Sequence, residues 1–165
     1  MLWMLLVSTT QVLLGKPTAG DTSGPRPNIV VLVSDDAGYA DFSFQGSRQI
    51  ATPHLDAIRR GGVLCQAGYV TASVCSPSRA GLLSGRYQQR FGHEFNIPPK
   101  YSETNGLPLS EVLLPAVLQK LNYHTIGLGK WHLGYAPKFH PLNRGFDDFY
   151  GFLQGARSYF PLHPP

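Results

Sequence analysis

The sequence predicts an α/β domain with a mostly parallel sheet flanked by helices. Three observations point there. Ile29 to Val33 is an unbroken run of β-branched residues and leucine, the pattern of a strand covered on both faces. Helix start and stop signals then alternate with further strand-like runs, as in chains that wind a parallel sheet. Asp35-Asp36 and the pair Lys130 and His132 fall just past the ends of two such runs, where parallel sheets gather their ligand sites.

Taken in order, residues 1–14 are an interrupted apolar run, too short to span a bilayer, and Thr18-Ala19-Gly20 offers a loose small-residue cleavage site. Residues 1–19 therefore read as a secretory leader, with an apolar strand or helix retained in the protein as the other reading. Export predicts a secreted or periplasmic protein, with the lysosome or ER lumen as the alternative. The Gly/Pro/Ser/Thr-rich segment that ends at Pro27 makes residues 20–27 a linker, and residues 28–165 are the folded part.

Within that part, Thr52-Pro53 predicts a helix cap and first-turn proline, Leu55 and Ile58 share a face, and Gly61-Gly62 ends the helix. Val63 to Tyr69 predicts a second strand, with Cys65 a small core residue rather than a disulfide partner of Cys75. A helix follows, capped by Ser76, with Pro77 at its first position and Leu82 and Leu83 facing the core. Gln88 to Pro108 reads as a long loop, a kind that tends to be functional, and His93-Glu94 in it is a candidate pocket lining. Pro115 opens a helix carrying Val117, Leu118 and Leu121, Asn122 is its left-handed cap, and Thr125 to Gly129 is a strand. Beyond Gly134, proline, glycine and aromatic residues predict an irregular surface segment.

Composition bounds the function. With 165 residues, 42% hydrophobic and 15% charged, the chain fits one folded domain and not a disordered tail. The net charge of +4 suits an anionic partner. No stripe of interleaved basic and aromatic residues appears, which argues against nucleic acid.

Cys75-Ser76-Pro77-Ser78-Arg79 places a modifiable thiol at a cationic helix start. Backbone N–H groups, the helix dipole and Arg79 would favour a bound oxyanion and a thiolate there. Taken alone, a buried or disulfide-bonded cysteine beside a surface arginine explains the same residues as well. Asp35-Asp36 is either an ordinary turn or a ligand pair for a hard ion such as calcium or magnesium.

Resemblance decides between these readings. Cys75 to Tyr87, read C-S-P-S-R-A-G-L-L-S-G-R-Y, resembles the first signature of the type I sulfatases, and Gly129-Lys130-Trp131-His132-Leu133-Gly134 resembles their second. Asn28 to Asp36 looks like their opening metal strand, and Asn143 to Phe152 like a further segment of the family. The likeness runs over residues 27–152 and implies an alkaline phosphatase-like fold, incomplete on its C-terminal side. It also implies that Cys75 is oxidised by a formylglycine-generating enzyme to formylglycine, whose hydrate attacks the sulfur of an aryl or carbohydrate sulfate ester. Carried over by position, Asp35, Asp36 and the modified Cys75 would hold Ca2+, with Mg2+ as the alternative. Arg79 would brace the formylglycine, Lys130 would contact the sulfate, and His132 would hydrogen-bond the nucleophile and assist sulfate release as a base.

A calcium shell takes about six to eight oxygens, more than these residues supply. Further ligands and the leaving-group acid of the family find no match after Gly134, so the chain reads as the amino-terminal part of a sulfatase with little or no activity by itself. The competing readings are a phosphatase or phosphodiesterase of the same superfamily and a non-catalytic module that binds sulfated glycans through Arg79 and Lys130. His54, His93, His124, His140 and His163 receive no role and read first as satisfied or exposed structural histidines, and Asp41, Asp56, Asp147 and Asp148 read as solvated or structural.

Overall fold

The computed structural model describes residues 4–8 and 26–158. The chain divides into two units, Met1–Tyr69 and Val70–Pro165. Most of the expected leader and linker, and His163, lie outside the described residues.

In the first unit, β1 (Met4–Ser8) pairs antiparallel with β2 (Ile29–Val33), Met4 opposite Val33 and Ser8 opposite Ile29. This departs from the expected strand covered on both faces, since Ile29, Val30 and Leu32 are 40%, 47% and 44% exposed. An apolar β-branched run reports a preference for extended backbone; the number of layers laid over it is a tertiary matter. Helix α1 (Pro53–Gly61) keeps its predicted boundaries, with Thr52 before the proline and Gly62 after the last turn. A polar knot fixes its start: Thr52 N–H donates to Ser43 Oγ (2.8 Å), Ser43 N–H donates to Thr52 Oγ1 (3.0 Å), and Ser43 Oγ donates to Asp56 (3.2 Å). Asp56 is thus structural, in the first turn where a carboxylate suits the helix dipole. The strand expected over residues 63–69 does not form; the segment is irregular with one turn at residues 66–67, Val63 is 93% exposed, and Cys65 is an exposed free thiol rather than a core residue. Gly62 and Gly68 at either end interrupt the run, and among the described residues no strand offers its backbone a ladder to join.

The second unit holds the core. Helix α2 (Cys75–Ser84) starts two residues earlier than expected: Val74 occupies the cap position, Cys75 is the first helical residue, and Pro77 sits within the first turn, where its missing N–H costs nothing. Its buried face is built from Ser76, Pro77, Ser78, Ala80 and Gly81, while Leu82 and Leu83 are only half-buried. Small residues win that face because neighbours come close; a Cβ on Gly81 would collide with Thr71 Oγ1. Gly85, with φ +64°, ends the helix and returns its N–H to the Gly81 carbonyl (2.9 Å).

Helix α3 (Leu114–Gln119) carries Pro115 in its first turn, and Asn122 is the predicted left-handed residue, φ +60°. Asn122 N–H bonds the Gln119 carbonyl (2.9 Å) and Tyr123 N–H the Leu118 carbonyl (3.1 Å), a Schellman closure. The chain then enters β3 (Ile126–Lys130), which pairs in parallel with β4 (Asp148–Phe152), Ile126 opposite Asp148 and Lys130 opposite Phe152. Parallel strand, helix and crossover make the architecture α/β, as predicted, with two two-stranded sheets among the described residues.

Leu107, Leu113, Trp131, Leu133 and Ala80 form the core, with Phe146, Phe149 and Leu153 against it. The segment after Gly134 is therefore not the surface irregularity the composition suggested. Residues 133–136 and Phe139 are buried, and Phe139 lies so close to Gly106 and Gly134 that a Cβ on either would sit 2.5 Å from it. Aromatic rings against glycine backbone make a core that no apolar periodicity announces. Arg144, also buried, donates to the carbonyls of Leu107 (2.8 Å), Pro108 (3.1 Å) and Glu111 (3.0 Å), holding the loop that leads into α3. Asp147 accepts from Thr125 N–H (2.7 Å) and Thr125 Oγ1 (2.9 Å), which fixes where β3 begins.

Arg144→Met keeps most of the side-chain volume but strips the buried Leu107 and Glu111 carbonyls of this donor, while the Pro108 carbonyl keeps the Glu111 N–H (3.1 Å); at about 1 to 3 kcal/mol for each unsatisfied group, loss of more than about 2 kcal/mol is expected. Urea unfolding followed by Trp131 fluorescence checks this, as a fall in midpoint at unchanged slope.

Candidate active site

The second unit brings Cys75, Arg79, Lys130 and His132 onto one frame by docking the start of α2 against the end of β3. Arg79 Nη1 donates to the Lys130 carbonyl (2.6 Å), and Ser76 Oγ donates to the His132 carbonyl (2.6 Å). Both bonds reach backbone, so they fix strand end to helix start whatever the Lys130 and His132 side chains do. Cys75, half-buried, opens the helix that these bonds hold.

Ser76 is the busiest residue of the motif. Besides the His132 carbonyl, its hydroxyl meets His93 Nε2 at 2.7 Å, and its backbone N–H donates to Asn96 Oδ1 at 2.8 Å. The Asn96 carbonyl thus caps α2 from the long loop, a task the sequence reading had given to Ser76. One first-turn N–H is thereby taken by protein, and the helix end is less open to an anion than its sequence suggested. Ser78 Oγ donates to the Ala72 carbonyl (2.6 Å), tying down the chain that leads into the helix.

His132 is held on every side. It is buried and adopts φ +59°, left-handed backbone that costs a non-glycine residue about 1 to 3 kcal/mol and persists only where surrounding contacts impose it. Its N–H donates to the Leu153 carbonyl (3.1 Å), and Gly155 lies against the imidazole, 2.6 Å from Cε1 for a Cβ placed there. Nε2 meets the Ile97 carbonyl at 3.1 Å. A carbonyl only accepts, so the proton of the neutral ring sits on Nε2 and Nδ1 carries the basic lone pair. Neighbouring Trp131 anchors the loop by donating its indole N–H to the Phe139 carbonyl (2.9 Å).

His93 is the satisfied structural histidine that the sequence reading favoured over a pocket lining, buried beneath Ser76, while Glu94 is exposed. Burial first, and then repulsion from His132, hold the His93 imidazole below its ordinary range, against a hydrogen bond with the Gly106 backbone that favours the charged form. The signal that could have found it is weak: a histidine three residues before an asparagine in a loop returning to the cysteine helix. The remaining described histidines are structural or exposed, His124 bonding Asp148 (2.7 Å) and His140 lying edge-on to Phe149.

Asp35 and Asp36 belong to the first unit, just past β2, and both are exposed. Asp36 has φ +57°. A left-handed residue there breaks the alternation that would send consecutive strand side chains to opposite faces. The donor chemistry, two adjacent carboxylates with hard oxygens, is what calcium or magnesium selects.

The family model described as Sulfatase matches residues 27–160. The chain belongs to the sulfatase family. It is 42% identical over 135 residues to arylsulfatase G of Rattus norvegicus and 43% identical over 131 residues to N-acetylgalactosamine-6-sulfatase of Mus musculus. These alignments cover 81% and 76% of this chain but 25% of each relative, so the chain spans about a quarter of the length of the curated relatives it matches. Among solved structures, Ps i-CgsB superposes with a TM-score of 0.68 at 44% identity, covering 77% of this chain and 28% of that one. The PsFucS1 sulfatase from Pseudoalteromonas sp. gives 0.63 at 32%, covering 72% and 24%. The fold is that of these sulfatases, represented in part. Among the described residues no helix is long and apolar enough to cross a membrane.

The His93 environment sets a pH dependence. Its folded value lies below the unfolded value of about 6.5, so the unfolded chain binds more protons in the window between them. This contribution is complete above about pH 6.5 and is lost as pH falls below it. In His93→Gln, the decline of Tm between about pH 7 and pH 5 should be shallower than in the parent, read by circular dichroism.

Proposed function

We propose that this chain carries the nucleophile and the base of a sulfuric ester hydrolase. The observation that carries the reading is the pair of 2.6 Å hydrogen bonds by which Ser76 and Arg79 dock the cysteine helix onto the carbonyls of His132 and Lys130. Two separate sequence signatures are thereby joined at their chemically useful ends.

In this reading Cys75 is the residue converted to formylglycine by a formylglycine-generating enzyme, and Asp35 and Asp36, with the modified residue, hold Ca2+ or Mg2+. The modified side chain supplies a hydrated carbonyl as nucleophile, and the ion supplies positive charge to the sulfate oxygens. The chain's own groups do the rest. Lys130 contacts the sulfate, and the Arg79 guanidinium adds fixed positive charge at the helix start. His132 uses Nδ1 to take and return a proton, since Nε2 is engaged with the Ile97 carbonyl. Gly155 and Trp131 keep that ring and its loop in place. The substrate class is a sulfate ester of an aryl or carbohydrate alcohol, the two kinds named among the relatives, and the compartment is an exported one.

The test is co-production of the full chain with a formylglycine-generating enzyme, followed by mass spectrometry of residues 74–79 and assay of an aryl sulfate. Replacement of the thiol by an aldehyde is expected, absent in Cys75→Ala, together with metal-dependent sulfate release that is slow because Asp35, Asp36 and residue 75 fill only part of a calcium shell of about six to eight oxygens. An unmodified thiol at position 75 overturns the assignment.

A further inference from the structure

The buried chain His93, Ser76, His132 lies outside the roles assigned so far. Ser76 Oγ stands between His93 Nε2 (2.7 Å) and the His132 carbonyl (2.6 Å), and all three residues are at most 7% exposed. A serine hydroxyl has one hydrogen. With it directed to the His132 carbonyl, the oxygen lone pairs face His93, and the neutral imidazole completes the chain as donor when its single proton is on Nε2, which gives up its bond to the Gly106 backbone. His132 is the member that needs such support, because its left-handed backbone must be imposed from outside. The same loop supplies two further ties, Asn96 to the Ser76 N–H (2.8 Å) and the Ile97 carbonyl to the His132 ring (3.1 Å). Residues 93–97 thus touch the residue after Cys75 at two atoms and the base at a third.

We propose that His93 is a positioning residue for the sulfatase reaction: it orients the Ser76 hydroxyl, which in turn holds the His132 backbone and ring in the conformation that presents Nδ1. This rests on the proposed role of His132 as base. It assigns a function to the loop segment that neither signature contains. His93 itself touches no substrate.

The test compares the full chain with His93→Leu, Ser76→Ala, the double variant and His93→Gln, whose side-chain amide can still donate to Ser76. Two-bond 15N–1H correlation spectra of the imidazoles read the His132 tautomer directly and do not require turnover. In the parent, a single Nε2–H form of His132 is expected. His93→Leu and Ser76→Ala should each give a mixture of tautomers, the double variant should be no worse than either, and His93→Gln should restore the parent spectrum. On the aryl sulfate, kcat should drop about tenfold or more in the same variants with KM little changed, the signature of lost alignment rather than lost binding. An unaltered His132 spectrum in a folded His93→Leu protein overturns the proposal, as do effects that simply add in the double variant. Absence of turnover in the parent would count against the hydrolase reading alone, since the spectra still decide whether His93 acts through Ser76.

Discussion

A buried serine hydroxyl holds this site together. Ser76 links the first turn of α2 to the left-handed residue that follows β3, and nothing in the backbone alone would keep those two termini in contact. A hydrogen bond of this kind contributes only about 1 kcal/mol net, but leaving its partners buried and unsatisfied would cost more. The constraint is therefore asymmetric. Once the helix and the strand end are packed, the polar chain through Ser76 must be complete or the junction opens.

Seen from this junction, the signature around Cys75 is mostly a docking device. Ser76, Pro77 and Ser78 are buried, and both serines spend their hydroxyls on backbone carbonyls. Arg79 does likewise with the Lys130 carbonyl, so its charge acts on the surroundings from a fixed place while its donors serve the frame. Cys75 is the member left at the margin of the helix. A short motif is demanding because four of its five residues fit one socket.

What the sequence revealed and concealed follows from the same physics. The residues proposed to carry the chemistry stood out because Cys75, Arg79, Lys130 and His132 sit in signatures whose order is itself informative. Local punctuation was legible too: Pro53, Gly61-Gly62, Pro115 and the left-handed Asn122 act within one or two turns of where they stand. The errors are tertiary. Leu82 and Leu83 seemed the natural core face, yet Leu83 packs against the core only half-buried, and the close approach of Thr71 and Gln88 gives the fully buried face to small residues such as Gly81. The proline- and aromatic-rich tail looked like surface, yet Phe139 is buried by lying on the backbone of Gly106 and Gly134. Cys65 and Val63 read as a strand, and irregular backbone replaces it. His93 drew little notice because a lone histidine in a loop has no periodic signature; its meaning comes from a serine seventeen positions earlier in the chain.

One feature of the parallel ribbon bears on how this chain can drift under mutation. At the register pair Gly129 and Gly151 the two strands come so near that a Cβ on Gly151 would overlap the Gly129 carbonyl oxygen, and Gly129 itself holds φ +94°. Neither position has a neutral neighbour in sequence space: the smallest replacement at 151 would wedge the strands apart one residue below Lys130, and one at 129 would strain the turn into the second signature. Lineages that keep the lysine and histidine in place must keep both hydrogens-only positions as well, although neither glycine carries a functional group.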